Sequence, residues 1–117
     1  MSHLQVGSKL GRIKKRRESL IKNLVLSVIL YEKVNTTLAK AKTVLPVLER
    51  LTHRAKQEGL TTKHYLMQRL FNNELLVKKL MKDIAPKYQK KNGGYLRVIK
   101  LKSRAGDDAP MARIEFV

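Results

Sequence analysis

The chain contains no cysteine. That excludes disulfides, thiolate metal sites and thiol nucleophiles, and it fits a reducing, cytoplasmic setting. Histidine is scarce, and His3, His53 and His64 do not have the spacing of a metal pair on one helix face. No H-E-x-x-H, phosphate-binding loop or dinucleotide glycine pattern occurs. Asp107 and Asp108 adjoin Gly106, where paired acids serve as turn formers rather than cation ligands. The chain therefore reads as a protein that is not an enzyme, with no cofactor, no metal and no small-molecule substrate.

Long apolar runs are also missing. The best, Leu24 to Tyr31, follows the basic run Lys14–Arg17 in a way that loosely imitates a signal peptide. It is bounded by Lys22, Asn23, Glu32 and Lys33, far short of the roughly 20 apolar residues a membrane span requires. It reads as a buried helix, without membrane insertion.

Acids are the scarcest resource. Nine Asp and Glu face 26 Lys and Arg, for a net charge of +17 in 117 residues. Such an excess repels itself in a compact state and calls for an anionic partner. The surplus is concentrated: residues 1–22 hold seven basic side chains against Glu18 alone, and residues 84–104 hold seven with no acid. These two stretches are the expected contact surfaces. Four successive cations at Lys14–Arg17 are unfavourable alone, more so at a helix start, and favourable against phosphate.

With 43% hydrophobic residues, a packed core is expected in one domain of residues 1–117. Residues 1–17 read as a basic arm with no core of its own. Residues 18–83 read as helical. A central helix is predicted from Glu18 to Tyr31, then a loop or short strand at Glu32–Thr37. Thr37 is the N-cap of a second helix to about Glu58, with a kink or break near Thr43 caused by Pro46. Shorter helices are predicted at Thr62–Phe71 and, capped by Asn73, to about Asp83, where Pro86 closes the run. Residues 93–117 form a hairpin, Tyr95–Lys102 with Met111–Val117, whose apolar face draws on Ile99, Leu101, Ile114 and Phe116. The fold class is α+β: four or so helices packed on a small antiparallel sheet with a C-terminal β-hairpin and a basic N-terminal arm.

No recognition helix, zinc finger or basic zipper for duplex DNA is found, so RNA bound through backbone and shape is the preferred partner. The candidate RNA ligands are Lys9, Arg12, Lys14, Lys15, Arg16, Arg17 and Lys22 at the start. Lys40 and Lys42 follow, then Lys90, Lys91, Arg97, Lys100, Lys102 and Arg104. Of Tyr65, Phe71, Tyr88 and Tyr95, the last adjoins Gly93 and Gly94 and is the best placed to stack on a base. The competing readings are a nucleoid-type non-specific DNA-binding protein and a cationic amphipathic protein acting at membranes.

Several motifs occur in a fixed order: Met1, His3, Gly7, Lys9, Leu10 and Arg12; Thr36–Lys42 with Pro46; Ile84–Tyr88; Gly93–Arg97; and Arg104–Ala112. Over essentially its full length the chain resembles the bacterial large-subunit ribosomal protein family numbered seventeen. The resemblance implies a structural constituent of the large ribosomal subunit, in the cytoplasm. It further implies binding to large-subunit ribosomal RNA, neighbouring ribosomal proteins as partners, and a position near the outer end of the polypeptide exit tunnel. It implies no catalytic residue. Ser2, Leu4, Gln5 and Ser8 depart from the family's more basic start, and Lys14–Arg17 compensate. The start at Met1 without an extension suggests a bacterial rather than an imported organellar protein.

Overall fold

In a computed structural model, the structure describes residues 14–117. The element order is α1 (Lys14–Tyr31), β1 (Lys33–Thr37), α2 (Leu38–Ala55), α3 (Leu60–Arg69) and α4 (Glu74–Lys78). A π-helical turn (Lys79–Ile84), a 3-10 turn (Ala85–Tyr88), β2 (Leu96–Leu101) and β3 (Met111–Phe116) complete it. The class is α+β, with helices on a three-stranded antiparallel sheet of order β1-β3-β2. The predicted arm lies outside the described residues up to position 13. Its last four residues, Lys14–Arg17, belong to α1.

The central helix is α2, not α1. It contacts all three strands as well as α1, α3 and the π-helical turn, and it buries Ala41, Val44, Leu48, Leu51, Thr52 and Ala55. Each fully buried aliphatic side chain contributes about 1.5–3 kcal/mol. Helix α1 buries only Val25, Val28 and Ile29, and Leu30 and Tyr31 at its end are exposed. Apolar residues all round a helix thus did not place it at the centre; α1 is packed on one flank only.

Thr37 caps α2 as expected, its Oγ1 accepting from the Lys40 N–H at 3.3 Å. The helix runs unbroken through Pro46. Pro46 and Lys42 are exposed, so water can take the Lys42 carbonyl that the missing N–H leaves free. The helix stops at Ala55, short of Glu58; Gly59, at φ +127°, precedes α3 instead. Asn73 caps α4 through its Oδ1 and the Leu76 N–H, 3.2 Å.

The run that follows leaves the wider helix at Ile84, next to the expected end at Asp83, and Pro86 lies just beyond. The helical path widens to a π-turn and tightens to a 3-10 turn as far as Tyr88, with Pro86 near the start of that last segment, where no N–H donor is needed. Lys79 pins the π-turn to α1, donating to the Leu30 carbonyl at 2.6 Å and pairing with Glu32 at 3.5 Å. Glu32, at φ +64°, ends α1 in the left-handed region and also pairs with Lys87.

On the sheet, Leu96, Val98 and Lys100 stand opposite Phe116, Ile114 and Ala112, and Val34 opposite Ile114 on the other side. This is the core-facing side, with Ala112 and Ile114 fully buried. Ile99 and Leu101 have the opposite parity, and Ile99 is exposed; the expectation that they share a face with Ile114 was wrong by one residue of register. Phe116 is half-buried, its ring stacked on Tyr88 at 6.3 Å. The Tyr88 hydroxyl donates to the Val117 carbonyl at 2.8 Å. Burial, then the Glu32 and Glu49 carboxylates, raises its pKa.

Candidate nucleic-acid interface

Two segments distant in sequence, α1 and the hairpin loop, meet beside α2. Its surface rows Ala39, Thr43, Val47 and Lys42, Pro46, Arg50, each at four-residue spacing, form one wall of an open groove of about 1110 Å³. Arg17 and Ile21 of α1 supply the opposite side, and Ala109 and Pro110 of the hairpin loop close one end. The loop is held there because the Leu38 N–H donates to the Pro110 carbonyl at 2.9 Å. The floor is apolar and the rim carries Arg17, Lys42 and Arg50. Arg50 was not among the predicted ligands; its position eight residues after Lys42 on the same helix face was the signal.

The first turn of α1, whose Arg17 lines the groove, presents Lys14, Lys15 and Arg16 to solvent, with Arg17 half-buried. Among the described residues no ion pair engages any of the four. Their charge adds to the positive end of the helix dipole, and the first turn holds no acid to offset it.

The cations of the hairpin are situated otherwise. Arg104 grips Asp107 with both arms of its fork, Nε to Oδ1 at 2.9 Å and Nη2 to Oδ2 at 2.7 Å. Oδ1 of Asp107 also accepts from the Ala109 N–H at 3.2 Å. The Arg104 hydrogen bond, then that of Ala109, lowers the Asp107 pKa to about 2, and the Arg104 pKa rises with the same bond as first cause. Arg97 pairs with Glu115 at 3.0 Å. Arg113, on the same outer face, reaches the other oxygen of Glu115 at 3.9 Å and donates to Asn35 Oδ1 at 3.1 Å. The predicted ligands Arg97 and Arg104 thus already have carboxylate partners.

The remaining predicted ligands are dispersed. Lys9 and Arg12 lie outside the described residues. Lys40 is half-buried at the start of α2. Lys22 turns away from the groove to lie 4.9 Å from the Phe71 ring centroid. Lys100 and Lys102 are exposed at the end of β2 and just beyond it. Lys90 and Lys91 sit past the other end of α2, where Lys91 Nζ donates to the Gly94 carbonyl at 3.1 Å. Tyr95 is not free to stack on a base. It is buried, with its hydroxyl 2.7 Å from His53 Nδ1 and 3.1 Å from Lys56 Nζ. Among the described residues no group of three His, Asp or Glu side chains is disposed to hold a metal ion, and no helix is long and apolar enough to cross a membrane.

The described residues form a small α+β module with a cationic groove beside its central helix and a tied-back hairpin loop. A family model described as ribosomal protein L17 matches residues 20–117, and the chain belongs to that family. It is 44% identical over 117 residues to the large ribosomal subunit protein bL17 of Orientia tsutsugamushi (strain Ikeda), covering 100% of this chain and 80% of the relative. The bL17 protein of Wigglesworthia glossinidia brevipalpis is 41% identical over 116 residues, covering 99% and 94%. That of Thermomicrobium roseum is 42% identical over 119 residues, covering 100% and 99%. Membership makes the protein a structural component of the ribosome.

Proposed function

We propose that the protein is a structural component of the large ribosomal subunit, in the cytoplasm. It binds large-subunit ribosomal RNA through the groove beside α2 and acts as a single unit without catalysis. The observation that carries this reading is the convergence of Arg17 of α1 with Lys42 and Arg50 of α2 around one groove, next in sequence to the exposed Lys14, Lys15 and Arg16, which form no ion pair among the described residues. Phosphate is the anion that relieves their repulsion, through release of condensed counterions. Lys14, Lys15, Arg16, Arg17, Lys42 and Arg50 are the principal ligands in this reading. Lys40, Lys100 and Lys102 extend the surface, Lys90 and Lys91 add contacts past the other end of α2, and Lys9 and Arg12 are further phosphate ligands in this reading. Arg97 and Arg104 shape the hairpin first and touch RNA second. A site near the outer end of the exit tunnel, beside other ribosomal proteins, follows the family resemblance.

The test is sedimentation. The protein in cell lysate should travel with the large subunit through a moderate salt wash and bind deproteinised large-subunit RNA with an affinity that falls steeply with salt. Recovery in the free fraction, or equal affinity for duplex DNA of the same length, would overturn it.

A further inference from the structure

The groove does not end at Arg50. The same side chain lines a second, shallow and open cleft of about 530 Å³ on the far half of α2, bordered by His53, Arg54, Gln57, Tyr65 and the Asn92–Gly93 loop. The loop wall is preformed. Gln89 Nε2 donates to the Lys56 carbonyl at 3.3 Å, Lys56 Nζ donates to the Lys91 carbonyl, and the Tyr95 hydroxyl binds in the same corner. Glu49 also lines the cleft. Its two oxygens accept the backbone N–H groups of Tyr95 and Leu96, at 3.2 and 2.9 Å, which directs its charge into the backbone.

Arg54 is the best-ordered cation of the cleft. Its guanidinium lies 4.6 Å from the Tyr65 ring centroid, with Arg69 4.4 Å from the same ring. That stacking fixes its plane. Its Nε is shielded from water, and among the described residues no carboxylate pairs with the guanidinium, which leaves its Nη groups as donors for an added anion. The side-chain amides of Gln57 and Asn92 are exposed, and among the described residues neither is engaged in a hydrogen bond. Phosphate donors and amide groups able to read a base edge therefore face one cleft that continues from the RNA groove.

We propose that the cleft receives one unpaired nucleotide of the RNA bound along the groove, its phosphate on Arg50 and Arg54 and its base edge on Gln57 and Asn92. This rests on the RNA-binding reading given above. Size decides between paired and unpaired RNA: the bases of an A-form duplex stay inside the helix and cannot enter such a cleft, whereas an extruded nucleotide can.

The experiment compares binding of the full chain, by fluorescence anisotropy, to a fully paired RNA duplex and to the same duplex carrying one extruded nucleotide. The wild type should prefer the second by about tenfold, the effect of a hydrogen-bonded charged contact. Arg54→Gln should abolish that preference while leaving duplex affinity within about threefold. Gln57→Leu, at an exposed position outside the core, should reduce the preference without touching the Tyr65 stack, so a folding defect in the first variant leaves a second readout. Equal affinity for both RNAs in the wild type, or a preference that survives both substitutions, overturns the nucleotide site and leaves RNA binding standing. Failure to bind either RNA overturns both.

Discussion

The first turn of α1 and the C-terminal hairpin are both strongly basic in sequence, yet the fold treats them in opposite ways. Lys14–Arg17 bury little and pair with no carboxylate among the described residues. The hairpin puts Ala112 and Ile114 into the core, and its Arg97 and Arg104 hold Glu115 and Asp107. Equal charge density therefore does not mean equal availability. A cation already held in a two-armed contact with a carboxylate gives up that contact to meet a phosphate, and a free one gives up only water.

The comparison can be broken from the hairpin's side most forcefully. Ile114→Ala removes a fully buried side chain, and the folded state should lose about 2–5 kcal/mol in denaturant titration. A loss below about 1 kcal/mol would detach the hairpin from the core and make both basic regions mere appendages.

Changing Lys14, Lys15, Arg16 and Arg17 together to Ala should act the other way. Thermal stability should hold or rise, since the removed charges repel one another and oppose the helix dipole. The dependence of log affinity for large-subunit RNA on log salt should flatten by roughly 2–3 if three of the four meet phosphate. An unchanged slope in a folded variant would move the contact surface to the hairpin.

Arg97→Ala combined with Arg104→Ala removes half as many charges, but the slope should fall by less than about 1, because these cations are already partnered. A drop equal to two full phosphate contacts would show that the ion pairs open on binding.

The smallest effects lie within the loop. The Asp107 carboxyl should titrate near pH 2 by NMR, and Arg104→Gln should return it toward the ordinary carboxylate range. A depressed carboxylate pKa means that the clamp's contribution is present above the ordinary range and lost as pH falls through about 2. Order in the loop should accordingly be insensitive to pH across the neutral and mildly acidic range. Asp107→Asn frees Arg104, and the salt slope should rise by up to about 0.9.

Much of the fold was legible because its signals are local. Thr37 and Asn73 cap their helices through their own side chains, and the β-branched run at Val34–Thr37 is a strand. The errors came where a neighbour decides. Helix α2 passes Pro46 without a break because that side of the helix faces water, and beyond Ile84 the path continues past Pro86 only as a 3-10 turn. Ile99 was placed on the wrong face because alternation gives two faces and only the pairing with β3 says which is inward.

For the candidate site, composition alone demanded an anionic partner, and the clusters at Lys14–Arg17 and through Arg104 marked where cations are dense. Charge is a sum over the chain and does not depend on folding. What only the tertiary structure decided is which of those cations are already paired. Asp107 and Glu115 claim Arg104 and Arg97, while Arg17, Lys42 and Arg50, separated by up to 33 residues, line one groove. An ion pair or a groove depends on distances between side chains, and those exist only once α1, α2 and the hairpin have packed together.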